Sequence, residues 1–295
     1  MTSNAPTLGF IGLGVMGEPI CRNIAVKSGL RTLAYDLDAA PVRRLGDAGV
    51  VEAPDLSAVA AEADTIFLSL PGGREVEQVV AGSGGLLAQA RQGQTIVDLS
   101  TTPVALTRRL AGLCETLGVF YADAPVARTR AAAQAGTLSI MVGAPPELFA
   151  RLQPLLAHAA SDVTHCGEVG CGQIVKIMNN MILAETVIAL CEALAIGTAA
   201  GIDGRVLFET LSKGSADSFA LRNHGLKAIL PREFPKPAFS TAYMMKDLDY
   251  ALELAGQGGI TAQGAALARD LLARAHEAGH RDEYWPVVST VISGH

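Results

Sequence analysis

A lysine and two asparagines stand at regular spacing inside the most apolar long stretch of this 295-residue chain. The stretch runs from Gly167 to Gly201 and reads GEVGCGQIVKIMNNMILAETVIALCEALAIGTAAG. Lys176, Asn179 and Asn180 recur at steps of three and four residues, which places them along one side of a helix. Burying an ammonium group is costly unless a site needs its charge, so a buried lysine here would mark a functional site. On this stretch alone, a surface turn whose lysine points into water is the favoured interpretation.

A second candidate site is a glycine-rich turn near the N-terminus. A short apolar strand predicted over Leu8–Ile11 runs directly into Gly12-Leu13-Gly14-Val15-Met16-Gly17, and a helical pattern follows to Lys27. In a strand–GxGxxG–helix unit, the first glycine permits a tight turn, the second lets a pyrophosphate approach the backbone, and the third lets helix pack on strand. Free N–H groups at the helix start favour phosphate binding. All six residues of this turn are therefore predicted to bind a dinucleotide.

Asp36 follows the second predicted strand, Thr32–Tyr35, about 20 residues after Gly17. A carboxylate at this spacing can accept both ribose hydroxyls of the adenosine and would repel a 2′-phosphate. No arginine follows directly, since Arg43 and Arg44 fall on the next predicted helix. The cofactor is therefore predicted to be NAD and not NADP. An acid that merely caps a turn is the alternative interpretation.

The elements that carry these residues predict two domains. Strand and helix patterns alternate from Leu8 to His165, as in a doubly wound sheet that binds ligands at the carboxyl ends of its strands. After Cys166 only helical patterns remain. We predict an α/β, Rossmann-like NAD-binding domain over residues 1–166. An all-α domain for substrate binding and oligomerisation is predicted over residues 167–295, and it begins with a long interdomain helix near Val169–Ala200. Its loops 212–219 and 231–240 either close over a ligand or simply connect helices.

Composition excludes several classes of protein. The chain is 49% hydrophobic and 18% charged, which is typical of an ordered enzyme. A net charge of −6 without a basic run argues against a nucleic-acid partner. Glu185 and Glu192 lie within the apolar stretch and favour a buried protein helix over a membrane span. Scattered cysteines and the lack of a signal-peptide pattern predict a cytoplasmic protein with reduced thiols.

One short motif suggests a metal. His276-Glu277-Ala278-Gly279-His280 matches HExxH, the zinc-protease signature. Gly279 stands inside the pair, where that motif needs unbroken helix, and no convincing third ligand follows. We interpret the match as chance and predict no metal site.

Four separated motifs make the chain resemble the β-hydroxyacid dehydrogenase family, of the 3-hydroxyisobutyrate dehydrogenase-like type. They are Gly12–Gly17, Asp123-Ala-Pro-Val126, Gly136-Thr-Leu138, and the run from Gly167 through Lys176 to Asn180. The resemblance extends over nearly the whole chain, down to Lys246-Asp247-Leu248. It implies hydride transfer between NAD and a small hydroxy acid.

The resemblance also implies a role for each matched residue. Lys176 matches the family's catalytic lysine, acting as general acid or base, while Asn179 and Asn180 match residues that orient the substrate. In the cofactor pocket, Leu70, Pro71 and Thr101 match segments that line the nicotinamide. Asp36 matches the acid of the NAD-using members, and Lys246 matches a lysine close to the cofactor.

One loop departs from the family pattern. The family usually follows Asp-Ala-Pro-Val with Ser-Gly-Gly, which holds a substrate carboxylate, whereas this chain has Ala127-Arg128-Thr129. That loop resembles the Gly-Arg-Thr of sulfolactaldehyde reductases, and a guanidinium offers a rigid donor fork for an oxyanion. The three residues are therefore predicted to bind the substrate. A solvated loop arginine is the alternative.

These observations predict an NAD-dependent oxidoreductase that interconverts a small anionic β- or ω-hydroxy acid and its semialdehyde, possible substrates being sulfolactaldehyde and succinic semialdehyde. An ordinary 3-hydroxyisobutyrate dehydrogenase or a tartronate semialdehyde reductase is the alternative within the family. An imine reductase usually lacks the lysine at position 176, and a non-catalytic NAD-binding sensor would not need Lys176 with both asparagines. Because the long helix exceeds what one small domain can cover, we expect a homodimer or homotetramer.

Overall fold

A computed structural model describes residues 5–236 and 238–293 of the chain. The chain forms two compact units, Met1–Lys176 and Ile177–His295. The sequence-based division was placed after Cys166, where the strand patterns end, so the first residues of the long helix belong to the first unit. The predicted loop 231–240 contains residue 237, which lies outside the described residues.

A single mixed sheet organises the first unit. Its strands are β1 (Leu8–Ile11), β2 (Thr32–Tyr35), β3 (Val50–Glu52), β4 (Thr65–Leu68), β5 (Thr95–Asp98), β6 (Phe120–Asp123), β7 (Val126–Ala127), β8 (Leu138–Gly143) and β9 (Ala160–Gly167). They are ordered β3-β2-β1-β4-β5-β6-β8-β7, with β9 paired to β8. Strands β1 to β6 pair in parallel, whereas β8 is antiparallel to β6 and β7. The predicted Rossmann-like fold is confirmed.

Helices connect these strands and cover the sheet. They are α1 (Gly17–Ser28), α2 (Ala39–Arg44), α3 (Leu56–Glu62), α4 (Gly73–Ala81), α5 (Val104–Thr116), α6 (Arg130–Ala135) and α7 (Pro146–Leu156). Alternate residues of a strand face opposite sides of a sheet. Phe10 and Phe67 accordingly enter one apolar cluster with their rings stacked, while Ile11 and Leu68 enter another. The chain proceeds from β1 to β2 on one side and returns to β4 on the other, and such a reversal creates a ligand crevice at the carboxyl ends of the strands.

The second unit is helical, as predicted. It contains most of α8 (Cys171–Ala199), then α9 (Gly204–Leu211), a π-helical segment (Leu221–Ile229), α10 (Thr241–Gln257), α11 (Gln263–Ala275), a second π-helical segment (His276–His280), a 3₁₀ turn (Trp285–Val288) and α12 (Ser289–Ser293). Its core is built around large side chains with no exposed surface, among them Phe208, Met244, Leu272 and Trp285.

Helix α8 is long and unusually apolar. Its 29 residues span about 43 Å at 1.5 Å per residue. Its most apolar window has a mean hydropathy of 1.8 and is 28% buried, so length and composition alone would let it cross a membrane. Val175, Ile182, Ala189 and Ile196 follow one another at seven-residue steps, and all four are exposed. We call these four residues the α8 stripe.

The structure contains short elements that the sequence patterns do not predict. Strand β7 has two residues and α6 has six, which is too short for a periodic apolar pattern to show. Thr129 begins α6 by accepting a hydrogen bond from the Ala132 N–H. Leu221–Ile229 is a π-helix, which the helical pattern of the sequence does not distinguish from an α-helix, and its Gly225 lies against the Phe208 ring.

Candidate active site

The glycine-rich turn has the shape that a dinucleotide requires. Gly12 has φ 89°, and a Cβ on it would overlap the Ser69 carbonyl oxygen. A Cβ on Gly17 would overlap the Gly12 carbonyl oxygen, so both glycines are required by the packing of the turn itself. A Cβ on Gly14 would meet nothing within 4 Å. The open space at Gly14, before the start of α1, is where a pyrophosphate can approach the backbone.

Asp36 directly follows β2, and its carboxylate lies against this turn. Its Oδ2 accepts a hydrogen bond from the Leu13 N–H at 2.5 Å, and its Oδ1 accepts one from the Asp38 N–H at 2.8 Å. The carboxylate is therefore fixed against the glycine-rich turn. It retains lone pairs on both oxygens for a ribose diol, because each carboxylate oxygen can accept more than one hydrogen bond.

A cavity of about 580 Å³ adjoins the same turn. Its charged lining residues are Glu18, Arg22, Arg44 and Arg130. The hydrogen bond from Arg44 is the main cause that lowers the pKa of Glu18, and the charges of Arg22 and Arg130 add to it. With three guanidinium groups and one carboxylate, the lining carries positive charge beside the start of α1, which suits phosphate groups. Sequence reasoning noted only Arg44, and spacing gave no reason to link it with Arg130.

The loops after β4 and β5, which carry the residues matched to the nicotinamide pocket, lie together. The Leu70 N–H donates to the Ser100 Oγ at 2.9 Å, so the segment with Leu70 and Pro71 is tied to the turn with Thr101. Thr101 is half-buried between Ser100 and Thr102, which are both buried. The structure thus brings these three matched residues to one edge of the sheet.

Two buried carboxylates support this edge. Asp98 is fully buried, and burial raises its pKa despite hydrogen bonds from Thr102 and Ser100. Asp123 accepts hydrogen bonds from the Gly170 N–H at 2.6 Å and the Gln173 N–H at 2.8 Å. Burial raises the pKa of Asp123 to about 6, although these N–H groups oppose the change. Asp123 therefore accepts from backbone N–H groups at the start of α8, where no carbonyl oxygen of the helix is in position to accept.

Gln173 connects α8 to the turn after β5. Its Oε1 accepts from the Thr102 N–H at 3.0 Å, and its Nε2 donates to the Ser100 carbonyl oxygen and to the Thr102 Oγ1, both at 2.8 Å. Lys176 follows one turn later and is half-buried. Sequence reasoning missed Gln173, because a glutamine near a helix start has no distinctive spacing.

Asn179 and Asn180 join a second network that lies within helices α8 and α10. Asn179 Nδ2 donates to Asn180 Oδ1 at 2.9 Å, and Asn180 Nδ2 donates to Asp247 Oδ2 at 2.5 Å. Asp247 is buried, and the Lys246 Nζ lies 2.9 Å from its Oδ1. The same Nζ lies 4.7 Å from the centre of the Tyr250 ring. Asn180 and Lys246 thus meet at Asp247, a residue for which sequence reasoning gave no role, and Asn179 joins them through Asn180.

The ammonium group of Lys246 is held in its charged form. Burial acts to lower its pKa, but the nearby Asp247 and Tyr250 outweigh burial, and the net pKa is raised. A permanent positive charge at this residue fits its match to a lysine close to the cofactor.

Arg128 occupies a special backbone position and is not simply solvated. Its φ is 86°, in the left-handed region that glycine adopts most easily. Its Nη1 donates to the Thr137 carbonyl oxygen and to the Ser161 Oγ, and its Nη2 pairs with Asp162, each at 2.7 Å. Its role as a substrate ligand stays a prediction, as do those of Ala127 and Thr129.

The HExxH match has a different local structure from that of a zinc helix. Gly279 has φ 100° and breaks the helical conformation between the two histidines. His280 Nδ1 lies 2.9 Å from Glu283 Oε2. Across residues 5–236 and 238–293, no group of three or more His, Cys, Asp or Glu side chains could hold a metal ion.

Comparison with known proteins identifies the family to which the chain belongs. Residues 7–167 match the family described as the NAD binding domain of 6-phosphogluconate dehydrogenase, and residues 170–285 match the one described as NAD-binding of NADP-dependent 3-hydroxyisobutyrate dehydrogenase. The 2-(hydroxymethyl)glutarate dehydrogenase of Eubacterium barkeri is 36% identical over 277 residues, which cover 93% of this chain and 91% of that protein. The chain belongs to the β-hydroxyacid dehydrogenase family.

Further β-hydroxyacid dehydrogenases support this assignment. The 3-hydroxyisobutyrate dehydrogenase of Pseudomonas aeruginosa is 35% identical over 90% of both chains. The solved 3-hydroxyisobutyrate dehydrogenase of Mycobacterium tuberculosis, described with L-serine, has a TM-score of 0.84 at 30% identity and covers 98% of this chain and 99% of its own. An imine reductase from Myxococcus stipitatus has a TM-score of 0.66 at 18% identity, and that likeness shows a shared fold alone.

As a member of this family, the protein is an oxidoreductase that acts on CH–OH groups of hydroxy acids with a nicotinamide dinucleotide as cofactor. The predictions of family, fold class, enzyme class and cofactor class are confirmed. The roles of individual site residues stay predictions.

Proposed function

We propose that this enzyme interconverts a small anionic β- or ω-hydroxy acid and its semialdehyde, with Lys176 as the general acid/base. One observation carries the proposal: the first turn of α8, which leads to Lys176, is hydrogen-bonded through Gln173 to the turn that contains Thr101. The acid/base lysine and the nicotinamide-lining residue are thereby parts of one connected structure.

The proposed mechanism assigns the proton to Lys176 and orientation to the asparagines. The bound dinucleotide supplies the acceptor or donor of hydride. During oxidation Lys176 takes the hydroxyl proton, and during reduction it returns that proton to the carbonyl oxygen. Asn179 and Asn180 orient the substrate, and Asp247 fixes the amide plane of Asn180 by accepting from its Nδ2. Lys246 is proposed as a cofactor-binding residue, as its family match implies, and its ammonium group is paired with Asp247.

The substrate is proposed to carry an anionic group away from the reacting carbon. Arg128 replaces bare backbone in the loop that normally holds a carboxylate, so its side chain moves the binding point outward. Candidates are a sulfonate, as in sulfolactaldehyde, or the distal carboxylate of a longer substrate such as succinic semialdehyde. The name of the Eubacterium barkeri relative adds 2-(hydroxymethyl)glutarate, which has a second carboxylate.

A screen of hydroxy acids and aldehydes with NAD(H) tests the proposed activity. It should place 3-hydroxyisobutyrate and tartronate semialdehyde beside longer dicarboxylates and sulfonates, and compare kcat/KM. A preference for 3-hydroxyisobutyrate would favour the ordinary family substrate. No turnover with any hydroxy acid, together with tight NADH binding, would favour the non-catalytic sensor.

Arg128→Ala is expected to raise KM for the preferred anion and to leave activity on an uncharged aldehyde nearly unchanged. Losing one charge-assisted hydrogen bond costs about 1.5–3 kcal/mol, which is on the order of 10- to 100-fold in kcat/KM. The exposed pair of Nη2 with Asp162 is worth only about 0–1 kcal/mol. A substrate anion can therefore replace Asp162 at Nη2 while Nη1 keeps its bonds to the Thr137 carbonyl oxygen and the Ser161 Oγ.

Asp162→Asn is the matched variant, because it removes the competing negative charge and keeps the guanidinium. If Arg128 binds the substrate, KM for the anion should fall or stay constant in this variant. Equal losses for charged and neutral substrates in both variants would mean that Arg128 only holds the loop.

We also propose that a second copy of the chain covers the α8 stripe in a homodimer or homotetramer. Exposed apolar residues along one side of a helix mark a surface that binds another protein chain. A cytoplasmic location is proposed as well, which five free thiols support.

Ile182→Glu is expected to lower the oligomeric mass measured by light scattering after size-exclusion chromatography, because it places a charge in the middle of the stripe. Ile182 is 59% exposed in the single chain. Ile260→Glu is the control, since Ile260 is also exposed, at 67%, but lies outside the stripe. A monomeric wild-type protein, or equal behaviour of both variants, would contradict this proposal.

A further inference from the structure

Gln173 is a fully buried polar residue whose side chain has every hydrogen-bonding group engaged with one short turn. The amide oxygen accepts one hydrogen bond from Thr102, and the amide nitrogen donates two, to Ser100 and Thr102. A buried network of this kind gives a rigid arrangement when all its members are satisfied and is costly when one is lost. The side chain therefore fixes α8 against the turn Ser100–Thr102.

That turn is also hydrogen-bonded to Asp98 at the end of β5 and to the loop after β4. The Thr102 hydroxyl accepts from Gln173 and donates to Asp98 Oδ2 at 2.7 Å, so its two roles are consistent. The Ser100 Oγ accepts from the Leu70 N–H. A continuous set of hydrogen bonds therefore runs from the loop after β4, through the turn after β5, to the first turn of α8.

The backbone of Gln173 is fixed as well. Its N–H donates to Asp123, so one residue is anchored through both its side chain and its main chain to two neighbouring strand ends. Lys176 lies three residues further along, about 4.5 Å up the helix axis and on nearly the same side. Any rotation or shift of α8 at Gln173 would move Lys176 with it.

We propose that Gln173 is a positioning residue of this enzyme: it keeps Lys176 in register with the turn that lines the nicotinamide. The inference rests on the proposed roles of Lys176 and Thr101. Gln173 acts through these two residues and does not touch the substrate. A misplacement of about 1 Å at a reacting group can cost on the order of 10²-fold in rate, so the lost hydrogen bonds would show in kcat.

Gln173→Leu and Gln173→Glu test the proposal in the full-length enzyme. The leucine variant is expected to lower kcat on the order of 10²-fold, with a smaller change in KM for the hydroxy acid. It should also weaken binding of NADH, while binding of ADP-ribose, which lacks the nicotinamide, stays the same. Both affinities are measured by fluorescence or calorimetry.

The glutamate variant adds a second measurement, the pH dependence of kcat, which should not change if Gln173 has a purely structural role. A protonated glutamic acid can accept from the Thr102 N–H and replace one of the two hydrogen bonds that the amide donates, whereas the ionised form has no donor. The ratio of its kcat to that of the wild type should therefore rise as pH falls. A ratio that does not change with pH would count against the proposal.

Gln94→Leu is the matched control. Gln94 is also buried, and its side chain donates to the carbonyl oxygens of Ala60 and Ala63 at 2.7 Å, away from the turn after β5. Both leucine variants should lower the melting temperature, but only the one at position 173 should lower kcat. Equal kcat values in the two variants, or equal weakening of NADH and ADP-ribose, would overturn the inference. Because the binding comparison does not involve Lys176, it stands even if Lys176 proves not to be the acid/base.

Discussion

Replacing Lys176 by alanine is expected to lower kcat by roughly 10²–10⁴-fold, the usual contribution of a positioned general acid or base. The affinity for NADH, measured by fluorescence, should be nearly unchanged, because the cofactor is proposed to bind through the glycine-rich turn and Asp36. The loss should appear in both directions of the reaction, since the same group takes and returns the proton.

Lys227→Ala serves as the control for removing a lysine from the helical unit. Lys227 is exposed and donates to Asn223 at 2.9 Å, so its loss should leave kcat at the wild-type value. Wild-type turnover in the Lys176→Ala enzyme would show that Lys176 is not the acid/base. The asparagines and a different proton acceptor would then need to explain the chemistry.

The enzyme is expected to use NAD(H) with a kcat/KM on the order of 10³-fold higher than with NADP(H). Two unit charges about 4 Å apart repel by about 4 kcal/mol at an effective dielectric constant of about 20. A 2′-phosphate beside Asp36 would experience repulsion of this size, whereas a ribose diol would donate to the same oxygens. Steady-state kinetics with both cofactors gives the ratio directly.

Asp36→Asn should narrow this ratio, because it removes the charge and keeps an acceptor for the Leu13 N–H. Asp38→Asn is the control: Asp38 is a neighbouring exposed acid whose side chain accepts from the Ala40 N–H at the start of α2. Equal efficiency of the wild-type enzyme with both cofactors would contradict the role given to Asp36.

Features that depend on residues close together in the sequence were predictable. The glycine-rich turn and Asp36 depend on local spacing, and the structure places the Asp36 carboxylate against the turn. Helix α8 was predicted over Val169–Ala200 and runs over Cys171–Ala199, because its apolar repeat extends for many turns. The parallel sheet followed from the alternation of strands and helices.

Features that depend on distant residues were not predictable. Gln173 bonds to Ser100 and Thr102, more than 70 residues earlier, and Asn180 bonds to Asp247, 67 residues later. Hydrogen bonds between such distant segments leave no periodic pattern in either segment. The ionic partner of Arg128, Asp162, likewise lies 34 residues away. The sequence alone therefore left two interpretations of this guanidinium, a bound substrate anion or contact with solvent.

The backbone at Arg128 has a consequence for how this family diversifies. A φ of 86° costs a residue with a side chain on the order of 1–3 kcal/mol, but it costs glycine almost nothing. The family pattern has glycine at this position, so the turn here keeps a shape that glycine also adopts. Mutation between glycine and arginine can therefore exchange a bare anion cradle for a cationic side chain without rebuilding the loop. If Arg128 binds the substrate, as proposed, a substitution at this one backbone position alters the anion site while the fold stays the same.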